Sequence, residues 1–371
     1  MDDKVYTALG LMSGTSLDGV DIAVIETDGV DIFGFGPSQG SEFDDDALAL
    51  RLATKAAVAW GAKGPPPNSL MAQTNLVDTL HIQAVEDIIS DQSCEFDLIG
   101  YHGQTVFHLA PTKNKLGRTL QLGNGQTLAD HFNAPVAYDF RTADVQSGGQ
   151  GAPLAPIYHE ALVRYSKLEG RVAVLNIGGV SNVTAIEDGK IIWATDCGPG
   201  NGPLDSWIEL KTGRNFDLDG RLSKKGEVEH GIINQWLEQD FFKRDIPRSA
   251  DRYDFDVLPD MRNLSSEDGA ATLASFCAQS IAQDISKFDA DTVIVCGGGR
   301  KNPTIMAMLD SHIDSNVALA EDVGWNGDML EAQAFAFLAV RTLKGLPISF
   351  PETTGCPEPM TGGKVVYPNA T

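Results

Sequence analysis

The chain has 371 residues, 42% of them hydrophobic, and a formal net charge of -23, so it can bury a large core and by length is expected to hold two domains. So acidic a surface excludes a nucleic-acid-binding face, since a polyanion is repelled rather than gripped, but not a nucleotide held in a deep site by glycine amides, a few cations and a divalent ion. Five cysteines without CxxC spacing (Cys94, Cys197, Cys277, Cys296, Cys356) argue against disulfides and structural zinc; uncharged runs too short to span a membrane and an acidic start, MDDKVY, lead to the expectation of a cytoplasmic protein with reduced thiols.

The chain opens with VYTALGLMSG, an apolar strand running into a glycine turn, and VDIAVIET returns as a second strand. The turn is rich in hydroxyls and carboxylates. Ser13, Thr15 and Ser16 supply hydroxyls, Gly14 and Gly19 allow close backbone approach, and Asp18 and Asp21 suit a hydrated cation. A merely tight polar hairpin is the alternative. Residues 45 to 61 and 70 to 90 read as helices, the second with Leu76, Leu80, Ala84 and Ile88 on one stripe.

FDLIGYHGQTVFHL follows as a strand ending in a polar loop, where His102 and Gln104 either face a substrate or serve as structural hydrogen-bonders. LQLGNGQTLADHF reads as strand, turn and helix, and PVAYDF as a strand running to Arg141. RTADVQSGGQGAPLAP is then a polar, glycine-rich loop of the kind that lines a functional surface. A domain boundary is expected near residue 140.

Residues 171 to 205 form the centre of the reading. VAVLNI, VSNVTAIE and KIIWAT are three strands joined by GG and DG turns, the last reaching Asp196. CGPGN is expected to end that strand, because Pro199 has no amide hydrogen, and to leave free amides at the start of a helix carrying Leu204, Trp207, Ile208 and Lys211. Gly178 and Gly179 repeat the logic of the first turn, a weak internal duplication. A carboxylate beside an anion nest suits phosphoryl transfer, which needs positioning, charge stabilisation and one group to prime the nucleophile. Asp196 is the candidate; an ordinary helix-capping aspartate is the alternative.

Residues 201 to 290 read as mainly helical. ADTVIVCGGGRKNPTIMAML is a strand, a triple-glycine turn and a helix opened by Pro303; a flat ring and its sugar fit on Gly297, Gly298 and Gly299. Asn326 to Lys344 reads as the last long helix, with Glu331 near its start. The Pro- and Gly-rich tail is expected to pack over the first domain. Neither a Walker A lysine motif nor HExxH, GxSxG or a kinase HRD signature occurs.

GLMSGTSLDGVD, HGQTVFH, DFRTADVQSGGQGAPLAP, LNIGGVSNVT, TDCGPGN, VCGGGRKNP and EAQAFAFLAVRTLKGLP together resemble, end to end, the anhydro-N-acetylmuramic acid kinases of bacteria. Cys197 stands where threonine is more usual, and Gly202 and Pro203 are atypical. The resemblance implies a two-domain α/β actin/hexokinase-like (ribonuclease H-like) ATPase fold with a central cleft. It also implies a reaction dependent on ATP and Mg2+: water opens the 1,6-anhydro bridge while O6 takes the γ-phosphate, giving N-acetylmuramic acid 6-phosphate for peptidoglycan recycling. On this reading Asp196 is the catalytic base. Gly14, Thr15, Ser16, Leu17, Asp18, Gly19, Val20 and Asp21, with Gly178 and Gly179, hold the ATP phosphates, and Gly297 to Gly299 the adenosine. Asp18 meets the metal through water; Arg141, Glu331 and His102 take the sugar, Arg141 through its lactyl carboxylate. Expected lobes are 1–140, with 346–371 returning to it, and 141–345; a homodimer is implied. A kinase of another anhydrosugar such as levoglucosan, or a non-sugar ATPase of the same fold, are the rival readings.

Overall fold

The computed structural model describes residues 4–14, 19–43, 47–61, 64–92, 94–111, 115–250 and 254–370. The chain divides into two compact units, 1–166 with 329–371 and 167–328.

In the first unit β1 (Tyr6–Ser13), β2 (Gly19–Thr27) and β3 (Ile32–Glu42) form an antiparallel meander. Helices α1 (Ala47–Trp60) and α2 (Asn68–Gln92) lead to β4 (Leu98–Leu109), parallel to β1. The chain continues through β5 (Arg118–Leu122) and α3 (Gly125–Phe132) to β6 (Val136–Tyr138), parallel to β4. Short α4 (Thr142–Gln146) and α5 (Pro156–Tyr165) complete this part. Strand β3 has no strong sequence signature, because Gly34, Gly36, Pro37 and Gly40 interrupt it. It forms at the sheet edge, where the register slips opposite Gly36 and Pro37 and a missing proline amide costs no ladder bond.

The second unit repeats the plan. β7 (Arg171–Ile177), β8 (Val180–Glu187) and β9 (Lys190–Pro199) are an antiparallel meander. Helices α6 (Gly202–Thr212), α7 (His230–Leu237) and α8 (Ser266–Phe288) lead to β10 (Thr292–Cys296), parallel to β7; α9 (Pro303–Asp310) leads to β11 (Asn316–Leu319), parallel to β10. The strand order β9-β8-β7-β10-β11 therefore mirrors β3-β2-β1-β4-β6. One strand order in both units is what the paired glycine hairpins foreshadowed. The core of this unit gathers Trp207 of α6, Trp236 of α7 and Phe276 of α8 with residues of β7 and β8, and Gly269 lets α8 lie against Trp207, since a Cβ there would stand 2.2 Å from the indole ring.

The last long helix, α10 (Leu330–Leu343), begins four residues later than the sequence suggests, and it belongs to the first unit. The reason is steric: a Cβ on Gly10 would stand 1.9 Å from the Ala332 carbonyl oxygen, and one on Gly100 2.2 Å from that of Phe335, so the helix lies directly on β1 and β4. Tyr158 of α5 donates to Gln333 of α10 at 2.7 Å in a buried contact, which keeps residues up to 166 with this unit as well. The expected limits at 140 and 345 thus give way to 166 and 329. After α11 (Pro351–Thr354), β12 (Lys364–Val366) pairs with β6, and Lys364 reaches Asp139 at 2.7 Å.

Candidate functional site

In the first unit, β1 ends at Ser13, Gly14 follows it and β2 starts at Gly19; Thr15, Ser16, Leu17 and Asp18 lie outside the described residues. Buried Gln104 grips the near side of this turn. Ser13 Oγ donates to its Oε1 at 2.5 Å, and its Nε2 donates to the Gly14 carbonyl at 3.1 Å. Gly19 is required by packing, since a Cβ would meet the Ser41 carbonyl oxygen at 2.1 Å, and the Val20 side chain is buried in the core. Any contact these two make with a phosphate is through backbone. Asp21 is half-buried, its Oδ1 beside Gly40.

His102 sits where β1 and β4 slip register between Leu11 and Ser13, at a bulge completed by Gly103 with φ +70°. Bulges re-aim side chains. Arg141 Nε donates to His102 Nε2 at 3.0 Å, while His102 Nδ1 pairs with the Gly103 carbonyl at 2.8 Å; an accepting Nε2 assigns the proton to Nδ1. Burial, then the neighbouring guanidinium, hold this imidazole well below its ordinary pKa, so it is neutral. Arg141 also donates to the Gly151 carbonyl at 2.6 Å. Glu331 stands exposed in the first turn of α10; the crowding of protein around it raises its pKa, and Arg141 pulls the other way. His102, Arg141 and Glu331 are thus brought into one neighbourhood.

Asp144, read in the sequence only as part of a loop, is buried and holds that loop. Its carboxylate accepts from the Gly151 amide at 2.6 Å and from Thr354 Oγ1 at 2.6 Å. Gly151, whose carbonyl Arg141 takes, is therefore fixed through its own amide too.

In the second unit the Gly178–Gly179 turn packs against the start of α6. The amides of Gly200, Asn201 and Gly202 donate to the carbonyls of Gly179, Gly178 and Gly179 at 3.1, 2.6 and 3.1 Å. The amides expected to be free after CGPGN are therefore spent internally. Nor does the strand stop at Asp196: β9 continues to Pro199, which an edge strand tolerates. What changes there is register. Asn182 faces Asp196 but Ser181 faces Gly198, so Cys197 is an extra, bulged residue that turns the neighbouring carboxylate.

Asp196 is buried, with its own amide donating to the Arg248 carbonyl at 2.9 Å and its Oδ2 accepting from the Ala250 amide at 2.8 Å. Burial, with Asp284 close by, pushes the Cys197 thiol well above its ordinary range, so it is no thiolate nucleophile. The 248–250 segment lies in RSADRYD, which reads in sequence as a charged interruption; nothing local announces that its backbone meets a strand end.

The triple-glycine turn lies against the end of β7. A Cβ on Gly297 would stand 2.1 Å from Asn176 Oδ1, and one on Gly299 2.1 Å from the Ile177 side chain, so both glycines serve close packing on β7. Of the three, Gly298 alone has room for a Cβ, which would stand in ordinary contact with Asn201 Nδ2 at 3.6 Å. Arg300 braces the turn by donating to the Gly297 carbonyl and to Asp328, both at 2.9 Å. An open cavity of about 560 Å³ adjoins it, with Pro303, Met306, Val317 and Leu319 among its apolar lining and Arg300 and Lys301 among its polar lining. Among the described residues no group of three or more histidine, cysteine, aspartate or glutamate side chains could hold a metal ion, and no helix is long and apolar enough to cross a membrane.

The family profile of anhydro-N-acetylmuramic acid kinase matches residues 6–368. Anhydro-N-acetylmuramic acid kinase of Caulobacter vibrioides is 47% identical over 364 residues, covering 96% of this chain and 98% of the relative. The proteins of that name from Phenylobacterium zucineum and Acidiphilium cryptum are 44% and 46% identical, over 97% of this chain and 99% and 98% of theirs. The chain belongs to the anhydro-N-acetylmuramic acid kinase family.

Proposed function

We propose that this chain is an ATP-dependent kinase that opens the 1,6-anhydro ring of anhydro-N-acetylmuramic acid and phosphorylates O6. One water, one sugar and one ATP give N-acetylmuramic acid 6-phosphate and ADP. The water oxygen bonds to C1, the C1–O6 bond breaks, and O6 takes the γ-phosphoryl group. Asp196 takes the water's proton. The observation that carries this reading is a buried carboxylate set at a strand bulge and held by a backbone amide, in a chain matched to this kinase family almost end to end.

The other roles follow the chemistry of each group. Arg141, with a fixed guanidinium, suits the lactyl carboxylate, for which a planar fork is the better partner than a point charge; neutral His102 and Glu331 suit sugar hydroxyls. The turn from Gly14 to Asp21 and the Gly178–Gly179 turn suit phosphates, and Gly298 with the neighbouring cavity, which has the volume of a small-ligand site, suits adenosine. Mg2+ would screen the phosphate charge; it needs only one or two carboxylates besides the phosphates themselves, such as Asp21 and Asp18. Five cysteines that form no disulfide fit a reducing cytoplasm. A homodimer completes the reading, to be checked by sedimentation.

The deciding experiment is a coupled assay of ADP release with and without anhydro-N-acetylmuramic acid, with the product identified by mass. ADP release that depends on the sugar and yields the 6-phosphate supports the proposal. Equal rates without sugar, or turnover of levoglucosan alone, overturn it.

A further inference from the structure

We infer that Arg248 and Asp284 are positioning residues for Asp196: their buried ion pair anchors the backbone segment that holds the carboxylate. The inference rests on the reading of Asp196 as the base.

Four bonds tie the segment to the strand end. The Arg248 carbonyl accepts from the Asp196 amide at 2.9 Å and from Thr195 Oγ1 at 3.2 Å, the Arg248 amide donates to Thr195 Oγ1 at 3.0 Å, and two residues on the Ala250 amide meets Asp196 Oδ2 at 2.8 Å. A backbone donor aims a carboxylate only if the backbone itself is fixed. The Arg248 side chain does that. It runs back into the unit and places Nη2 2.5 Å from Asp284 Oδ2 on α8, with side-chain exposures of 3% and 1%, and its guanidinium lies over the Phe241 ring at 4.7 Å. Asp284 is held in turn by Lys287 at 2.8 Å. The long helix α8, rooted in the core, is thus the mechanical ground for the Asp196 carboxylate.

Stability alone does not account for this pair. Burying two charges costs about as much as their attraction returns, and apolar residues of similar volume do as well or better. Arg248 Nε is buried without an acceptor among the described residues, a further cost. What the pair supplies is a single defined position for residues 248 to 250.

The test is a double-mutant cycle on kcat. Arg248→Met is expected to lower kcat by roughly 10- to 100-fold, the scale of a misplacement of about 1 Å, with KM for sugar and for ATP little changed and part of the rate restored in Arg248→Lys. In an Asp196→Asn background the same substitution is expected to cost nothing further, because it acts only through that carboxylate. Should Arg248→Met fail to fold, the paired Arg248→Met/Asp284→Leu variant, which leaves no lone buried charge, is read in the same cycle. A lowered Tm with unchanged kcat, or losses that multiply in the Asp196→Asn background, overturn the inference while leaving Asp196 as base. Near-normal turnover by Asp196→Asn overturns both.

Discussion

Arg141 donates its Nε hydrogen to Nε2 of His102 at 3.0 Å, so a cation and a neutral imidazole are locked as one unit. Because Nε is spent on His102 and Nη1 on Gly151, the fork is aimed before any substrate arrives, and little entropy is left to lose on binding. Arg141→Met is therefore expected to raise the sugar KM by roughly 10- to 100-fold, the loss of one charge-assisted hydrogen bond of about 1.5 to 3 kcal/mol. The KM for ATP should stay near that of the unaltered protein. Steady-state kinetics with each substrate varied in turn checks this.

Four histidines, His81, His102 and His159 buried and His108 half-buried, set a pH limit on stability. Burial lowers His81, His108 and His159 from 6.5 to about 4, and His102 goes well below its ordinary value for the same reason, with Arg141 adding to the effect. A depressed histidine pKa means that the unfolded chain binds the proton first. Stability is then lost as pH falls from about 6.5 towards 4, and each such group adds a slope of up to about 1.4 kcal/mol per pH unit. Urea midpoints measured from pH 7 to pH 4.5 should fall throughout. His81→Phe, which also removes a buried Nε2 that has no partner among the described residues, should flatten the slope by up to one proton.

The three glycines after β10 are predicted to behave differently. Gly297→Ala places a Cβ 2.1 Å from Asn176 Oδ1 and 2.7 Å from the Ile177 carbonyl oxygen at φ +75°, so it should destabilise by more than about 1 to 3 kcal/mol, the usual cost of local backbone strain. Gly298→Ala meets nothing closer than 3.6 Å and should fold with an unchanged Tm. If adenosine lies on that surface, its KM for ATP rises several-fold. Calorimetry and kinetics on the pair separate packing from binding.

Asp196→Asn keeps the shape and the Ala250 donor but removes the charge. It is expected to fold with a Tm close to that of the unaltered protein and to lose on the order of 10²- to 10⁴-fold in kcat, the usual contribution of a positioned base. Near-normal turnover would remove Asp196 from the chemistry.

What the sequence determined by itself is local. The apolar runs VAVLNI and VIVC, the glycine turns at 178–179 and 297–299 and the proline opening α9 specify strands, turns and a helix start by short-range sterics, and the motifs spread along the chain identify the family. Strand β3 stayed hidden because glycine and proline carry no strand preference; pairing with β2 forms it. Helix α10 has an apolar face that reads the same whichever sheet it covers, and only the bare backbone at Gly10 and Gly100 decides which. The amides at 200–202 look free in sequence, yet the Gly178 and Gly179 carbonyls consume them. Asp196 is legible as a carboxylate near a strand end, but the amide that holds it lies 54 residues away, and the ion pair behind that amide draws on a helix further on. Periodicity reports which face of an element is apolar; which distant donor meets which acceptor is settled when those faces are packed together.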